Sequence, residues 1–397
     1  MKVPAAVSEG RWLTGDRARA YARIFLVVTL IIALGWVLAS RNGVDTTGKP
    51  LGTDFLGFYA ASSLTREGHP ERAYNVVAHS DAGQAVFPSA DCCTPPFLYP
   101  PSFLLIALPF AWMPYFAALS LWLALTGLAY GLTVRRIGDG SLSMVPIFAF
   151  PAVIIEIGHG QTGFLTTALL GFGLLELDRR PLWAGVLLGG LAFKPQLAVL
   201  LPFALAFSGR WRVFIAAGVA GFAFTFISLA VFGIATWQGF FNSLPLARAM
   251  LVNSLVDPAK LQSAYAAVRV LGGSNGLGWV VQAVVATGAM IAVFYTARLR
   301  RSPGADIAAI PAAALLATPY VFDYDLTALS IPLAWLFREG SRTGFHPWEK
   351  SILALAFVLP QISRSLASWG KLPLAPLIIA ALLVAVLRRS SAIGARD

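Results

Sequence analysis

Charged residues are scarce in this chain. They make up 12% of its 397 residues, about half the share of a typical soluble domain. Apolar residues account for 57%, and a soluble fold of this length could not hide so many of them from water. A bilayer removes the difficulty, because lipid solvates an apolar outer surface. The composition therefore excludes an ordinary soluble domain and predicts an integral membrane protein.

Cysteine is almost absent as well. The only two, Cys92 and Cys93, are adjacent, so they can build neither a disulfide framework nor a zinc site. The sequence also lacks a P-loop, a GxGxxG motif before a helix, an HExxH motif and a CxxC pair. These absences argue against an ATP-driven pump and against zinc hydrolysis. The loops that hold the basic clusters, which we assign to the cytoplasm below, are also too short for a nucleotide-sugar site.

Twelve apolar segments are candidates for helices that cross the bilayer. The first follows a basic segment, as a signal peptide would, but its length and the spans after it predict an uncleaved helix. We expect a single all-α membrane domain, 1–397, with about 12 transmembrane helices and a range of 11 to 13. The segments are 21–40, 117–134, 142–157, 163–177, 181–193, 197–208, 213–233, 277–297, 307–319, 326–337, 351–362 and 373–387.

The net charge of +11 is spread over short basic clusters between the apolar segments, so nucleic-acid binding is not expected. Placing these clusters and both termini in the cytoplasm gives 20 Lys and Arg with 9 Asp and Glu inside, and 10 of each outside. The whole imbalance then falls on one side. The positive-inside rule therefore predicts cytoplasmic termini in an inner or plasma membrane.

One apolar segment, 99–114, is short and proline-rich. If it crossed the membrane, Arg135 and Arg136 would face outward and every later loop would invert. We therefore predict a re-entrant or interfacial helix, or a kinked start to the next span, with a thirteenth crossing as the alternative.

Two predicted hairpins are too short to reach the outer surface. The chain must go out and return between Pro181 and Ser208, so each helix rises only about 20 Å. The turn at 194–196 should then lie below the membrane surface, and the pair spanning 307–337 behaves alike. Non-helical backbone is tolerated at such depth only where it is buried in protein or lines a wet cavity. An outward-facing cavity within the membrane follows.

Unusual polar residues converge on this predicted cavity. Asp54 stands near the start of a helix in the first outer loop, where it serves either chemistry or simple helix capping. His159 and Gln161 lie in a short turn at membrane depth, where ionisable residues are usually functional. The alternative for His159 is a partner inside the helix bundle.

Lys194 is a lone cation between two apolar helices and needs an anionic partner. A lipid-linked phosphate would serve, and an internal ion pair, for example with Glu156, is the alternative. Asp323 and Asp325 could bind a cation or sugar hydroxyls, or could serve only helix capping and packing.

The pattern DF..FY.A......G.P...Y from Asp54 to Tyr74, which includes Tyr59 and surrounds Arg66, resembles the first outer loop of the polyprenol-phosphate-mannose-dependent glycosyltransferases, glycosyltransferase family 87. Further motifs follow in the family's order over about residues 20 to 390. They are YPP at 99–101, GQ at 160–161, a cytoplasmic RRP, an AG......A.KP run at 184–195, and TPYVFDYD near the last helices.

The resemblance implies a type C glycosyltransferase (GT-C) fold with amphipathic helices in the first outer loop. The chain would then divide into a seven-helix module, 21–233, with its outer loop at 41–98. A second outer loop, 234–276, and C-terminal helices, 277–390, would follow.

The resemblance also implies transfer of a sugar from a polyprenyl-phosphate carrier to an acceptor outside the cytoplasm, with Asp54 as the catalytic base. The chain departs from the family at 322–325, where many members carry a motif with tryptophan and histidine. The departure concerns which sugar and which acceptor the protein uses, rather than the class of reaction. Mannose is the first candidate for the sugar.

The mechanism we expect is a single inverting displacement. Lys194 would stabilise the phosphate, helped by Arg66, Arg72 or His159. Gln161, Asp323 and Asp325 would bind hydroxyls, and the resemblance adds Tyr59 to the substrate-binding set. No cofactor or metal is required, although a divalent cation could bind at the two aspartates. The acceptor is a glycan, a lipid or another molecule. A multi-pass transporter or a lipid-linked-sugar flippase is the main alternative.

Overall fold

The computed structural model of the protein describes residues 8–90, 94–299 and 304–393. Within these ranges the chain is all-helical, as predicted, and pairs of extended residues form only isolated bridges. Cys92 and Cys93 lie outside the described residues.

Helices occur at all the places where crossings are predicted. Five of the described helices, α1, α5, α12, α14 and α17, are long and apolar enough to cross a membrane; the total number of spans stays a prediction. The helices are α1 (Gly15–Ala39), α2 (Thr53–Arg66), α3 (Val76–Val86), α4 (Ser102–Ala107), α5 (Tyr115–Ile137), α6 (Met144–Phe148), α7 (Ala152–His159), α8 (Gly163–Leu175), α9 (Pro181–Gly189), α10 (Pro195–Ala198), α11 (Leu201–Phe207), α12 (Trp211–Val252), α13 (Ala264–Val270), α14 (Asn275–Leu299), α15 (Ala305–Ala317), α16 (Ser330–Thr343), α17 (Glu349–Gly370) and α18 (Ala375–Ile393). Short 3₁₀ helices cover Pro70–Tyr74, Leu108–Trp112, Gly190–Phe193, Pro258–Lys260 and Asp323–Leu329.

The segment 99–114 forms six residues of α4 and then five residues of 3₁₀ helix. At about 1.5 Å per α-helical residue and about 2 Å per 3₁₀ residue, this spans roughly 20 Å. The hydrocarbon core is about 30 Å thick. The length therefore favours the re-entrant or interfacial helix over a thirteenth crossing.

The predicted second outer loop, 234–276, is helical over its first half. Helix α12 continues to Val252 through a kink at Gly233, whose backbone has φ 77° and ψ 169°. A non-helical glycine changes the direction of the chain there, and the Phe-, Ala- and Leu-rich residues beyond it resume the helix. The second outer loop, 234–276, stays a prediction, and its first part is helical.

Both short hairpins turn where the sequence predicts. The first runs through the apolar helical segments Pro181–Phe193 and Pro195–Phe207, and Lys194 stands between them. In the second, the 13 residues of α15 are followed by an extended stretch and the 3₁₀ helix Asp323–Leu329. Thirteen residues rise about 20 Å, which is less than the roughly 30 Å thickness of a hydrocarbon core.

Two buried clusters organise the molecule. The larger joins α5, α8, α9, α15, α16 and α18, and contains Tyr130 and Trp335. The smaller is aromatic and packs the first outer loop against α5 through Phe55, Phe103 and Trp122. The second cluster fixes α2, which carries Asp54, to the helical bundle.

Helices α9 and α12 pack through small residues. A Cβ atom added at Gly189 would lie 2.5 Å from the Ala217 carbonyl oxygen, and one at Gly185 would lie 2.4 Å from the Ala216 Cβ. Small residues four positions apart are the usual way in which membrane helices bring their backbones close together. This contact supports the hairpin that carries Lys194.

We expect Gly189→Ala to destabilise the protein by about 1–3 kcal/mol, because an overpacked contact forces the backbones apart. Gly218→Ala in α12 is the matched control, since nothing lies within 4 Å of its added Cβ. Unfolding free energies measured by steric trapping in bicelles compare the two. Equal effects would contradict the packing argument.

Candidate active site

An open cavity of about 340 Å³ lies between the first outer loop, the end of α7, the 3₁₀ helix at Pro258–Lys260 and α17. These segments are far apart in the sequence. The ionisable residues of its wall are Asp45, Lys49, Asp54, His159, Lys260 and Arg364. The cavity therefore brings together the predicted site residues Asp54 and His159 with three cations, two of which come from other segments.

Asp54 lies in the first turn of α2 and is half-buried. The N-cap of this helix is Gly52, so Asp54 is not the capping residue. Its Oδ2 atom accepts a hydrogen bond from the Gln161 amide nitrogen at 3.2 Å. Among the described residues, none donates to Oδ1. One oxygen of this cavity-lining carboxylate is thus held, while the other has no donor within the described ranges.

The amide of Gln161 has one orientation only. Its oxygen accepts from the Tyr99 hydroxyl and from the backbone N–H of Thr162, both at 2.8 Å. Two donors on the oxygen turn the NH₂ group toward Asp54. The glycine at position 160 allows this turn, because its φ is +64° and an added Cβ would lie 2.7 Å from the Phe55 Cβ.

Lys194 pairs with Asp325 inside the protein. Nζ lies 2.5 Å from Oδ1, and the side chains are 2% and 1% exposed. Nζ also donates to the Thr162 hydroxyl at 3.0 Å, and the Phe322 N–H donates to the other Asp325 oxygen at 3.0 Å. The internal ion pair is therefore the arrangement found, with Asp325 rather than Glu156 as the partner. Neither side chain of the pair lines the cavity.

The buried pair is connected to Asp54 by hydroxyl and amide groups. The Thr162 hydroxyl accepts a hydrogen bond from the Lys194 ammonium and lies 3.1 Å from the Tyr99 hydroxyl. Tyr99 donates to Gln161, which donates to Asp54. In water this chain would compete with solvent, but in a buried network each bond restrains the next. Lys194 thus acts on the carboxylate through other residues.

Asp323 and Asp325 do not form a joint site. Asp325 is committed to Lys194, whereas Asp323 lies 4.0 Å from Arg364 and accepts from the Tyr324 N–H. In the part of the chain that the structure describes, no three His, Cys, Asp or Glu side chains gather as a metal site would need. The two carboxylates have different protein partners, and the binding of a cation or of sugar hydroxyls at these aspartates stays a prediction.

Tyr59 and Arg66 also lie outside the cavity wall. The Tyr59 hydroxyl donates to the Met113 carbonyl at 2.8 Å, and Arg66 donates to the Ala111 carbonyl at 2.7 Å. Both satisfy backbone oxygens at the end of the 3₁₀ helix Leu108–Trp112. The structure gives them a role in holding the short apolar segment against α2.

His159 is on the cavity wall, at the end of α7. Its Nδ1 lies 2.8 Å from the Ile155 carbonyl, and its ring is 5.7 Å from that of Tyr324. The hydrogen bond fixes the ring orientation, so the imidazole can bind substrate without reorganisation.

Sequence reasoning missed Lys49, Lys260 and Arg364 on the wall, and Tyr99 in the connecting chain. A sequence signal for these cations exists. The positive-inside rule depletes outer segments of Lys and Arg, so a cation that remains in an outer segment is a candidate for a functional role.

A model of glycosyltransferase family 87 matches residues 97–319, more than half of the chain. The chain belongs to glycosyltransferase family 87. It is accordingly a membrane glycosyltransferase, and as such it takes a sugar donor and an acceptor. No curated protein and no solved structure gives a significant match. Asp54 and Arg364 lie outside the matched range, so the geometry alone brings them to the site.

In this glycosyltransferase, we expect Lys194→Met to destabilise the fold by about 3–5 kcal/mol, because it leaves the Asp325 carboxylate buried and unpaired. The double variant Lys194→Met/Asp325→Asn should recover most of the loss. Unfolding free energies in bicelles test both variants. A single variant as stable as the wild type would show that the pair is not structural.

Proposed function

We propose that this glycosyltransferase moves a sugar from a polyprenyl-phosphate carrier to an acceptor hydroxyl, with Asp54 as the general base. The main supporting observation is that Asp54 lines the open cavity with one oxygen bound by Gln161, while no described residue donates to the other oxygen. Mannose is the first sugar to test. The acceptor is a glycan, a lipid or another hydroxyl-bearing molecule.

Asp45 is the other carboxylate on the cavity wall, and its environment suits it less to base catalysis. Burial alone would raise its pKa, but hydrogen bonds from Thr47, from the Lys49 backbone and from Trp36 outweigh burial and leave the pKa lowered. Both of its oxygens carry donors. A carboxylate stabilised in this way is a weak proton acceptor, which leaves Asp54 as the better candidate.

The reaction we propose is one displacement. The acceptor oxygen attacks the anomeric carbon while its proton passes to Asp54, and the bond from that carbon to the phosphate oxygen breaks. The electron pair of the broken bond leaves with the polyprenyl phosphate. A single displacement inverts the anomeric configuration, and it requires no cofactor.

The proposed topology has about 12 spans in a GT-C-like arrangement, cytoplasmic termini and a cavity that opens outward. Contacts between distant segments support it. Residues 49, 54, 159, 260 and 364 all belong to segments assigned to the outside, and they meet at one cavity. On the opposite side, Arg210 pairs with Asp178 at 3.0 Å and with Asp306 at 2.6 Å.

We expect Asp54→Asn to lower the transfer rate by about 10²–10⁴-fold, since an amide cannot take the acceptor proton. Transfer is measured in proteoliposomes supplied with polyprenyl-phosphate mannose. Asp81→Asn, an exposed carboxylate of the same outer loop, should leave the rate unchanged. Full activity of the Asp54 variant would remove this residue from the base role.

Sidedness is tested with single cysteines in a Cys92→Ser/Cys93→Ser background. A membrane-impermeant maleimide should label Ser89→Cys on intact cells and Ser341→Cys only after permeabilisation. Both positions are exposed in the structure. Labelling of Ser341→Cys on intact cells would invert the proposed topology.

A further inference from the structure

Three cations line the wall of the cavity that contains Asp54: Lys49, Lys260 and Arg364. They come from separate elements, namely the turn before α2, the 3₁₀ helix at Pro258–Lys260, and α17. Lys194, by contrast, is sealed in its pair with Asp325 and is not available to a ligand in the cavity.

In the described part of the chain, none of the three cations has a carboxylate closer than 4.0 Å. Among the described residues, no carboxylate lies within 4 Å of the Lys49 or Lys260 ammonium, and the nearest to Arg364 is Asp323, at 4.0 Å. Burial, followed by the charges of Arg364 and Lys49, lowers the pKa of Lys260. The carboxylates of Asp323 and Asp54 act on Lys260 in the opposite direction, and Asp45 and Asp54 also line the cavity. An anion that lies between the three cations is nevertheless attracted by all of them.

We infer that Lys49, Lys260 and Arg364 form the subsite that holds the phosphate of the lipid-linked donor, in place of Lys194. The inference rests on the proposed function and names the residues of its leaving-group site. The matched family range includes only Lys260 of the three, so membership of the family does not assign this subsite.

The chemistry of the displacement suits a site with several cations. In the donor, the phosphate is a diester with one negative charge. When the bond from the anomeric carbon breaks, its electron pair stays on the phosphate and a monoester with nearly two charges leaves. Cations around this group therefore stabilise the transition state more than the bound donor. The planar guanidinium of Arg364 can also hold two phosphate oxygens at once.

The test is equilibrium binding of sugar-free farnesyl phosphate to the full-length protein in zwitterionic nanodiscs. Lys260→Gln and Arg364→Gln should each weaken binding by about tenfold or more, as expected for the loss of a charge-assisted hydrogen bond. Lys260→Arg should retain most of the affinity. Lys371→Gln, an exposed outer lysine away from the cavity, is the matched control and should bind as the wild type does.

Asp54→Asn separates this inference from the proposed base. The subsite predicts that this variant still binds farnesyl phosphate, although it no longer transfers sugar. If the wild type binds while both glutamine variants bind equally well, the subsite is wrong and the donor class stands. If the wild type does not bind farnesyl phosphate at all, the donor class itself is wrong.

Competition distinguishes the source of the phosphate. Inorganic phosphate should displace farnesyl phosphate only at high concentration, because it lacks the lipid tail. Nanodiscs that contain phosphatidylglycerol should leave farnesyl phosphate binding nearly unchanged. Complete displacement by phosphatidylglycerol would mean that the cations hold a membrane headgroup, and it would overturn the inference.

Discussion

A lysine ammonium and an aspartate carboxylate meet where two short hairpins turn, and the geometry of the site depends on that contact. The backbone around Lys194 and Phe322 is not helical, so its buried polar groups need hydrogen-bond partners outside a helix. The ion pair, the Thr162 hydroxyl and the Phe322 N–H satisfy one another there. Two helices too short to cross can therefore end inside the protein.

This contact also explains how a residue remote from the cavity acts on it. Hydrogen bonds of 2.8 to 3.2 Å connect Thr162 to Asp54 through Tyr99 and Gln161. The position of the buried pair therefore restrains that of Asp54. A carboxylate held at one oxygen loses less freedom when substrate binds at the other. Stability and function are consequently coupled in this network, so variants at Lys194 change both the fold and the orientation of the proposed base.

The sequence predicts the helices and the turns well, because apolar length and proline or glycine punctuation are local signals. The start of α2 near Asp54 and the turn at Lys194 follow from these signals. The partner of Lys194 does not follow from local signals, because Asp325 is 131 residues away and Glu156 offers the same charge. Nor does a motif show what a side chain contacts. Tyr59 and Arg66 lie within the span of the family pattern, yet both donate hydrogen bonds to backbone carbonyls. The same limit hid Lys260 and Arg364.

The two kinds of charge contact in this region differ in a way that matches different tasks. The Lys194 and Asp325 side chains are sealed from solvent and lie 2.5 Å apart, whereas Arg364 is 44% exposed and 4.0 Å from Asp323. A structural pair must persist through every cycle, so tight pairing and exclusion of water suit it. A cation that binds and releases an anionic leaving group in each turnover needs the opposite, because a strong internal partner would compete with the ligand. The loosely held cations on the cavity wall are therefore the ones whose placement suits exchange of a phosphate.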